Sequence, residues 1–273
     1  MSERDTYPSG VPCWVETLQE DPKAAVEFYG SLFGWTFAGP GSMPGGEQSQ
    51  YFVGRVKGRD VAGIGSLPDK TVAPAWITHI RVDSVDAAVG RSKKAGGNVL
   101  DGPLDAPPAG KLAVLADPAG AVFCAWEAGI REGAQLVNEP RAWAMSALNT
   151  SDAESSKAFY GAVFGWSAES FGPPGSPVAL WRLPGYVGGE PSQPVPRDVV
   201  AVMMSGDETG SRVPPHWSVD FWVDDADATA ANAAKLGGRV VVPPHDAHGF
   251  RRAVLADPQG PVFSVSQLMT VGD

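Results

Sequence analysis

The sequence has few cysteines and no long apolar run, and each scarcity excludes a class of protein. Its two cysteines, Cys13 and Cys124, are too few for the disulfide framework of a small secreted domain or for a CxxC zinc knuckle. No apolar run approaches the roughly 18 residues that a transmembrane helix needs. The amino-terminal segment 1–10 is polar and lacks the apolar centre of a signal peptide. We therefore expect a cytoplasmic protein with reduced thiols.

Basic residues are fewer than acidic ones. The sequence has 21 lysines and arginines and 31 aspartates and glutamates, which gives a net charge of −10. Nucleic acids and anionic membrane surfaces attract basic patches, so we expect neither as a partner. Glycine and proline are abundant, at 33 and 25 residues. They fall largely between periodic segments, a distribution typical of many short strands joined by turns.

Two sequence segments occur twice in the same order. Glu27–Trp35 returns as Ala158–Trp166 with six of nine residues identical, and Ala113–Gly120 returns as Ala253–Gly260. Ordered repeats at nearly constant spacing indicate a duplicated domain. The halves predicted from them are a first domain over 1–130 and a second over 141–273, joined by a linker over 131–140.

Each half contains two similar runs of predicted elements. A helix begins after Asp21-Pro22, where aspartate caps the first turn and proline needs no hydrogen-bond acceptor, and it ends at Gly34. Helices are also predicted over 85–95, 152–164 and 226–236, and Gly39–Gly46 is predicted as a turn. Predicted strands cover 12–18, 50–56, 60–66, 76–82, 98–100, 111–116, 121–127, 142–148, 178–182, 199–204, 217–223, 239–242, 253–256 and 261–267. The predicted fold class is therefore α+β, with four βαβββ units.

Four motifs in this order resemble the vicinal oxygen chelate superfamily, which includes glyoxalases, bleomycin-resistance proteins and extradiol dioxygenases. They are the Phe-Tyr…Phe-Gly-Trp helix, a Val-Asp segment, a Gly-Gly pair and Asp-Pro-x-Gly. In the first half the last three are Val82–Ala88, Gly96-Gly97 and Asp117–Gly120; in the second they are Val223–Asp227, Gly237-Gly238 and Asp257–Gly260. The resemblance implies that paired βαβββ units curl into two half-open barrel domains, each around a cavity.

The resemblance also implies a metal site, with a histidine or similar ligand on each unit's first strand and a glutamate on the last. Counting from the motifs places these positions at Trp14, Ile77, Cys124, Met145, Ser218 and Ser264. None of them is histidine, aspartate or glutamate, and a divalent metal usually needs at least three such ligands. We expect no metal cofactor, with a divalent metal held by other residues as the alternative.

If those positions face inward, strand alternation turns their i±2 neighbours inward as well. Glu16 and His79 are then the candidate catalytic pair, because a carboxylate beside an imidazole can orient it and raise its pKa. Arg81 could hold an anionic group. The candidate ligand-binding residues are Trp14, Arg81, Cys124, Trp126, Met145, Asn149, Asp220 and Trp222. The competing interpretation is structural: Glu16 and Arg81 satisfy each other within the sheet, and His79 is a hydrogen-bonded core residue.

Three functions follow from these residues. The first is a binding protein that holds a small apolar or aromatic metabolite in a barrel cavity without a metal. The second is a metal-dependent lyase or dioxygenase. The third is a metal-free isomerase or cyclase that uses Glu16 and His79 for proton transfer. The residues leave open whether the protein is catalytic. Four units in one chain are compatible with a monomer or a homodimer.

Overall fold

A computed structural model describes residues 3–41, 43, 49–69, 72–188, 196–205 and 213–269. The first half contains β1 (Pro12–Gln19), α1 (Pro22–Phe33), β2 (Thr36–Gly41), β3 (Tyr51–Val56), β4 (Arg59–Ser66), β5 (Ala75–Arg81), α2 (Val85–Lys94), β6 (Asn98–Ala106), β7 (Gly110–Ala116) and β8 (Val122–Ala128). The second contains β9 (Trp143–Thr150), α3 (Ala153–Phe164), β10 (Ser167–Ser170), β11 (Val178–Arg182), β12 (Val199–Ser205), β13 (His216–Trp222), α4 (Ala226–Lys235), β14 (Arg239–Ala247), β15 (Phe250–Ala256) and β16 (Val262–Leu268). None of the helices in these ranges is long and apolar enough to cross a membrane.

The strands form two eight-stranded sheets with the same internal order. The first runs β2-β3-β4-β1-β5-β8-β7-β6, and the second runs β10-β11-β12-β9-β13-β16-β15-β14. In each sheet, two βαβββ units join through their first strands, which pair antiparallel. Two half-open barrels in an α+β fold result, as the sequence predicts.

The helix boundaries confirm the capping signals in the repeat. The Asp21 side chain accepts hydrogen bonds from the backbone amides of Lys23 and Ala24 at the start of α1. Gly34 ends that helix with a φ of 68°, a left-handed conformation that costs glycine little. Asp152 caps α3 in the same way, and Gly165 ends it with a φ of 75°.

The edge strands differ from the sequence prediction. The predicted turn over Gly39–Gly46 is wrong at its start, because residues 39–41 belong to β2; residue 42 and residues 44–48 lie outside the described residues. β10 was not predicted, and β6 and β14 extend well beyond the predicted strands 98–100 and 239–242. All four are sheet ends, where one face need not be apolar and proline is tolerated, so they lack the alternation of an inner strand.

The two sheets pack against each other through their convex faces and the helices there. On α1, the Tyr29 ring lies 5.6 Å from that of Phe263 in the second sheet, and the Phe33 ring lies 5.2 Å from that of Phe221. On α3, the Tyr160 ring lies 5.8 Å from that of Phe123 in the first sheet. Buried residues of both halves therefore form one continuous core, which leaves the concave faces free to enclose cavities.

Candidate functional site

A cavity of about 670 Å³ lies on the concave face of the first sheet. Its walls include the end of β2 and the turn between β6 and β7, which carry Pro40, Pro107 and Pro108. The remaining wall residues are mostly small or apolar: Ala38, Gly39, Gly41, Met43, Val53, Asp105, Ala106, Ala109, Leu112, Arg131 and Gly133. We call the five side chains at the base, Trp14, Glu16, Tyr51, His79 and Trp126, the cavity floor. The volume falls within the usual range of small-molecule pockets.

Sheet register explains why residues distant in sequence meet at the floor. Trp14 of β1 lies opposite His79 of β5, and Glu16 lies beside Gly63 of β4. His79 in turn lies beside Cys124 of β8. The four central strands therefore contribute two neighbouring rows of positions on one face: Glu16 and Gly63 lie in one row, and Trp14, His79 and Cys124 lie in the next.

Tyr51 links the floor residues, although it is not among the residues predicted from the sequence. Its hydroxyl donates to Glu16 Oε2 at 2.6 Å and accepts from Trp14 Nε1 at 2.9 Å. The ring can lie over the sheet because β4 carries glycine beneath it: a Cβ on Gly63 would overlap the Tyr51 hydroxyl. An aromatic residue on β3 opposite a Gly-x-Gly strand is the sequence signal that could have found it.

His79 and Glu16 form a buried ion pair. His79 Nε2 lies 3.1 Å from Glu16 Oε1, and the side chains are 3% and 13% exposed. Both ring nitrogens are shielded from solvent, and neither makes a well-aligned hydrogen bond among the described residues. Burial disfavours the charged ring, but Cys124 and the Glu16 carboxylate together raise the pKa of His79 to about 10. Burial likewise opposes ionisation of Glu16, but His79 and the Tyr51 hydroxyl lower the pKa of Glu16 overall.

Part of the predicted linker 131–140 forms one cavity wall. Trp126 Nε1 donates to the Arg131 carbonyl at 2.9 Å, and Arg131 Nη1 lies 3.0 Å from Asp60 Oδ2. The backbone amide of Ala134 bonds to the Cys13 carbonyl at 2.8 Å. Arg131 and Gly133 consequently line the cavity, a contribution that no local sequence pattern indicates.

Two further candidates of the first half lie outside the cavity lining. Arg81 does not meet Glu16: its Nε lies 3.7 Å from Glu132. Cys124 is only 1% exposed and lies next to His79 within the sheet. The structure thus brings together Trp14, Glu16, His79 and Trp126 of the predicted residues, and it separates Arg81 and Cys124 from the cavity surface.

The candidates of the second half are in different surroundings. Met145 borders a small cavity of about 60 Å³ with Tyr7 and Trp143. Asp220 accepts from Ser266 Oγ at 2.8 Å and lies 3.5 Å from Arg252, while burial raises the pKa of its carboxyl against the lowering effect of Arg252. Asn149 donates to Ser218 at 3.1 Å, and Trp222 packs 6.2 Å from Phe250. These residues do not join the floor of the first cavity.

Comparison with known proteins identifies the family. The model of the glyoxalase-like domain matches residues 15–126 and again residues 145–266. The chain belongs to the glyoxalase-like family. Among curated relatives of this glyoxalase-like protein, "Putative glyoxylase CFP32" of Mycobacterium tuberculosis (strain CDC 1551 / Oshkosh) is 38% identical over 271 residues, 97% of each chain. "Anthracycline biosynthesis protein DnrV" of Streptomyces peucetius is 34% identical over 276 residues, 96% of this chain and 94% of the relative.

The two family matches confirm the glyoxalase-like resemblance seen in the sequence, and solved structures with the same fold include a glyoxalase and a dioxygenase. The Mn(II)-bound glyoxalase from Novosphingobium aromaticivorans has a TM-score of 0.63 at 16% identity, over 96% of this chain and 83% of that one. The 2,3-dioxygenase LapB from Pseudomonas sp. KL28 has a TM-score of 0.60 at 10% identity, over 96% and 94%. At such identities the likeness establishes the fold alone.

The donor groups of the glyoxalase-like barrels do not fit a divalent metal. At four equivalent positions of the central strands, the first sheet offers Glu16, His79 and Cys124, but the fourth position, Gly63, has no side chain and Glu16 is held by Tyr51 and His79. By register, the second sheet places Ala147, Val202, Asp220 and Ser264 there. Within the described ranges, no group of three or more histidine, cysteine, aspartate or glutamate residues could hold a metal. We therefore assign no metal ligands.

Register also shows that the floor network is specific to the first sheet. Ala147 takes the place of Glu16, Asp220 that of His79, and Val178 that of Tyr51. None of these replacements can rebuild the chain of hydrogen bonds from Trp14 through Tyr51 to Glu16. The first cavity is therefore the better candidate for the working site.

Proposed function

We propose that the first-sheet cavity binds a small apolar or aromatic metabolite without a metal ion. The observation that carries the proposal is the cavity itself: about 670 Å³, walled by prolines, Leu112 and Met43, with aromatic side chains at its floor. Aromatic faces stack on flat ligands, and a few fixed polar groups orient them. The polar groups here are Glu16, Tyr51 and His79.

The relatives support this class of ligand. One curated relative is named for anthracycline biosynthesis, and it aligns with 96% of this chain. Anthracyclines are polycyclic aromatic molecules, so the name is consistent with a cavity built for a flat apolar ligand.

A steric test decides whether this cavity is the binding site. Leu112 lines it, and Leu112→Trp would fill part of its volume. Leu100→Trp is the matched control, because Leu100 is 55% exposed on β6, outside the cavity lining. We expect flat aromatic compounds, measured by isothermal titration calorimetry, to bind Leu112→Trp at least about tenfold more weakly than wild type. Equal affinity of both variants, or no binding to wild type, would reject the proposal.

The metal-free part of the proposal has its own measurement. Elemental analysis by plasma mass spectrometry on untagged protein, purified without chelator, should find less than a stoichiometric amount of iron, manganese, nickel or zinc. One equivalent per chain would overturn this part. It would favour a metal-dependent lyase or dioxygenase instead, with ligands outside the central-strand positions of Glu16, Gly63, His79 and Cys124.

A second candidate function is metal-free proton transfer, for example in an isomerase or cyclase. The ion pair of His79 and Glu16 favours it, because at neutral pH the raised pKa of His79 and the lowered pKa of Glu16 leave one acid and one base at the same floor. Exchange of solvent deuterium into a bound carbon acid, followed by mass spectrometry, tests it. If His79→Gln exchanges as fast as wild type, proton transfer by this pair is rejected.

A further inference from the structure

Almost none of the hydrogen-bond donors of the cavity floor is free to bind a ligand. Trp14 Nε1 donates to Tyr51, and the Tyr51 hydroxyl donates to Glu16. Trp126 Nε1 donates to the Arg131 carbonyl. Both nitrogens of His79 are shielded from solvent, and Nε2 faces Glu16. A ligand on this floor consequently meets side-chain donors that already have partners or, in the case of His79, are shielded from the cavity by burial.

Glu16 keeps acceptor capacity. A carboxylate has about four lone-pair sites, and this one uses Oε2 for Tyr51 and Oε1 for the contact with His79. Its side chain is 13% exposed and borders the cavity. The remaining lone pairs are therefore the polar feature that the floor offers to a ligand.

The charges around the cavity point in the same direction. Glu16 and Asp105 are carboxylates among the lining residues, while Arg131, the guanidinium there, is paired with Asp60 at 3.0 Å. The positive charge of His79 is opposed by Glu16 at contact distance. An anionic ligand would face two carboxylates, and the cationic side chains Arg131 and His79 are already paired with Asp60 and Glu16. Binding of an anion is therefore disfavoured.

We propose that the ligand is a neutral, flat aromatic molecule that carries a hydroxyl or N–H group and donates it to the Glu16 carboxylate. This inference rests on the proposed function of the same cavity. The hydrogen bond is charge-assisted and lies in a site walled by apolar groups, where such bonds are strong. Tyr51 and His79 fix the carboxylate, so the acceptor is in place before the ligand arrives.

Three two-ring compounds of one shape test the proposal. They are 2-naphthol, which can donate, 2-methoxynaphthalene, which cannot, and 2-naphthoate, which is an anion. We expect wild-type protein to bind 2-naphthol about tenfold more tightly than the methyl ether, the effect of one charge-assisted hydrogen bond, and to bind 2-naphthoate most weakly. Isothermal titration calorimetry gives all three affinities.

Variants then locate the acceptor. Glu16→Gln should bring the ratio of 2-naphthol to methyl-ether affinity close to one, because the amide is uncharged and can itself donate to an ether oxygen. Glu20→Gln, an exposed position just after β1, should keep the wild-type ratio. If Glu16→Gln does not fold, the wild-type series still decides.

The outcomes separate the two proposals. If the methyl ether or 2-naphthoate binds wild type as tightly as 2-naphthol, the donor inference is overturned and aromatic binding stands. An unchanged ratio in Glu16→Gln also overturns it. If none of the three compounds binds, the proposed function fails, and the inference that rests on it fails with it.

Discussion

The ion pair of Glu16 and His79 ties the stability of the protein to pH. The pKa of His79 is raised from 6.5 to about 10, so its stabilising contribution is complete below pH 6.5 and is lost as the pH rises to about 10. The pKa of Glu16 is lowered from 4.5, so its contribution is present above pH 4.5 and is lost as the pH falls through the lowered value. The pair therefore stabilises most between about pH 4.5 and 6.5.

We predict that His79→Gln loses about 3 kcal/mol of unfolding free energy at pH 5.5, since it leaves a buried carboxylate uncompensated. The deficit relative to wild type should shrink steadily from pH 6.5 to about 10, because the unfolded ring is neutral in this range and folding must take up a proton at an increasing cost. Urea unfolding at pH 5.5, 7.5 and 9.5 measures it. A deficit that is independent of pH would mean that His79 is neutral in the folded protein.

A second prediction at the level of single residues concerns Gly63. Gly63→Ala would force the Tyr51 hydroxyl away from the sheet, since a Cβ there overlaps it. We expect a loss of about 1–3 kcal/mol in unfolding free energy, as for other overpacked sites, together with weaker binding of aromatic probes. The control is Gly90→Ala in α2, where a Cβ meets no atom within 4 Å. It should be neutral or stabilise by up to about 1 kcal/mol. Equal effects of both substitutions would show that Tyr51 is not held against Gly63.

The Phe-Tyr helix of each domain contacts the Asp-Pro-x-Gly turn of the other domain. The Tyr29 hydroxyl of α1 donates to Asp257 Oδ2 at 2.8 Å, and Asp257 belongs to the Asp-Pro-x-Gly turn of the second domain. In the reciprocal contact, the Tyr160 hydroxyl of α3 donates to Asp117 Oδ2 at 3.2 Å. Each tyrosine also accepts from a buried tryptophan, Trp76 or Trp217. The tyrosine hydroxyl in the helix of each domain is thus hydrogen-bonded to an aspartate in the turn of the other domain.

A double-mutant cycle tests these hydrogen bonds between the domains. Tyr29→Phe and Asp257→Asn should be coupled by about 0.5–3 kcal/mol of unfolding free energy, because they remove the same buried hydrogen bond. Tyr29→Phe combined with Asp117→Asn, in its own domain, should be additive. Coupling to Asp117 rather than to Asp257 would contradict the arrangement of the two sheets.

Strands, helices and floor residues differ in how far the sequence could predict them. Inner strands and capped helices were predictable, because burial on one face imposes a period on the sequence. The alternation rule also placed Trp14, Glu16 and His79 on one face. Tyr51 was not predictable in this way, because it reaches the floor from two strands away over Gly63. Edge strands and the wall at Arg131 depend on tertiary contacts that leave no local period.

The two barrels share one core. Tyr29 and Phe33 of α1 pack on the second sheet, and Tyr160 of α3 packs on the first. The hydroxyl groups of Thr78 in β5 and Ser146 in β9 form a hydrogen bond of 2.7 Å between the sheets. Separating the halves would expose these aromatic rings and unpair buried polar groups, which is costly. Each barrel therefore depends on the other for part of its stability.

We predict from this that the protein unfolds in one cooperative transition rather than two. Differential scanning calorimetry should give a single peak whose calorimetric and van't Hoff enthalpies agree, as for a two-state domain. A ligand that occupies only the first cavity should shift the entire peak upward, because binding to the folded state stabilises every part that unfolds with it. Phe221→Ala, which removes the ring of the second sheet that packs on Phe33 of α1, should lower the whole transition by weakening the shared core. Two resolved peaks, with only one moved by ligand, would show instead that the barrels are thermodynamically independent and that the shared core contributes little to their coupling.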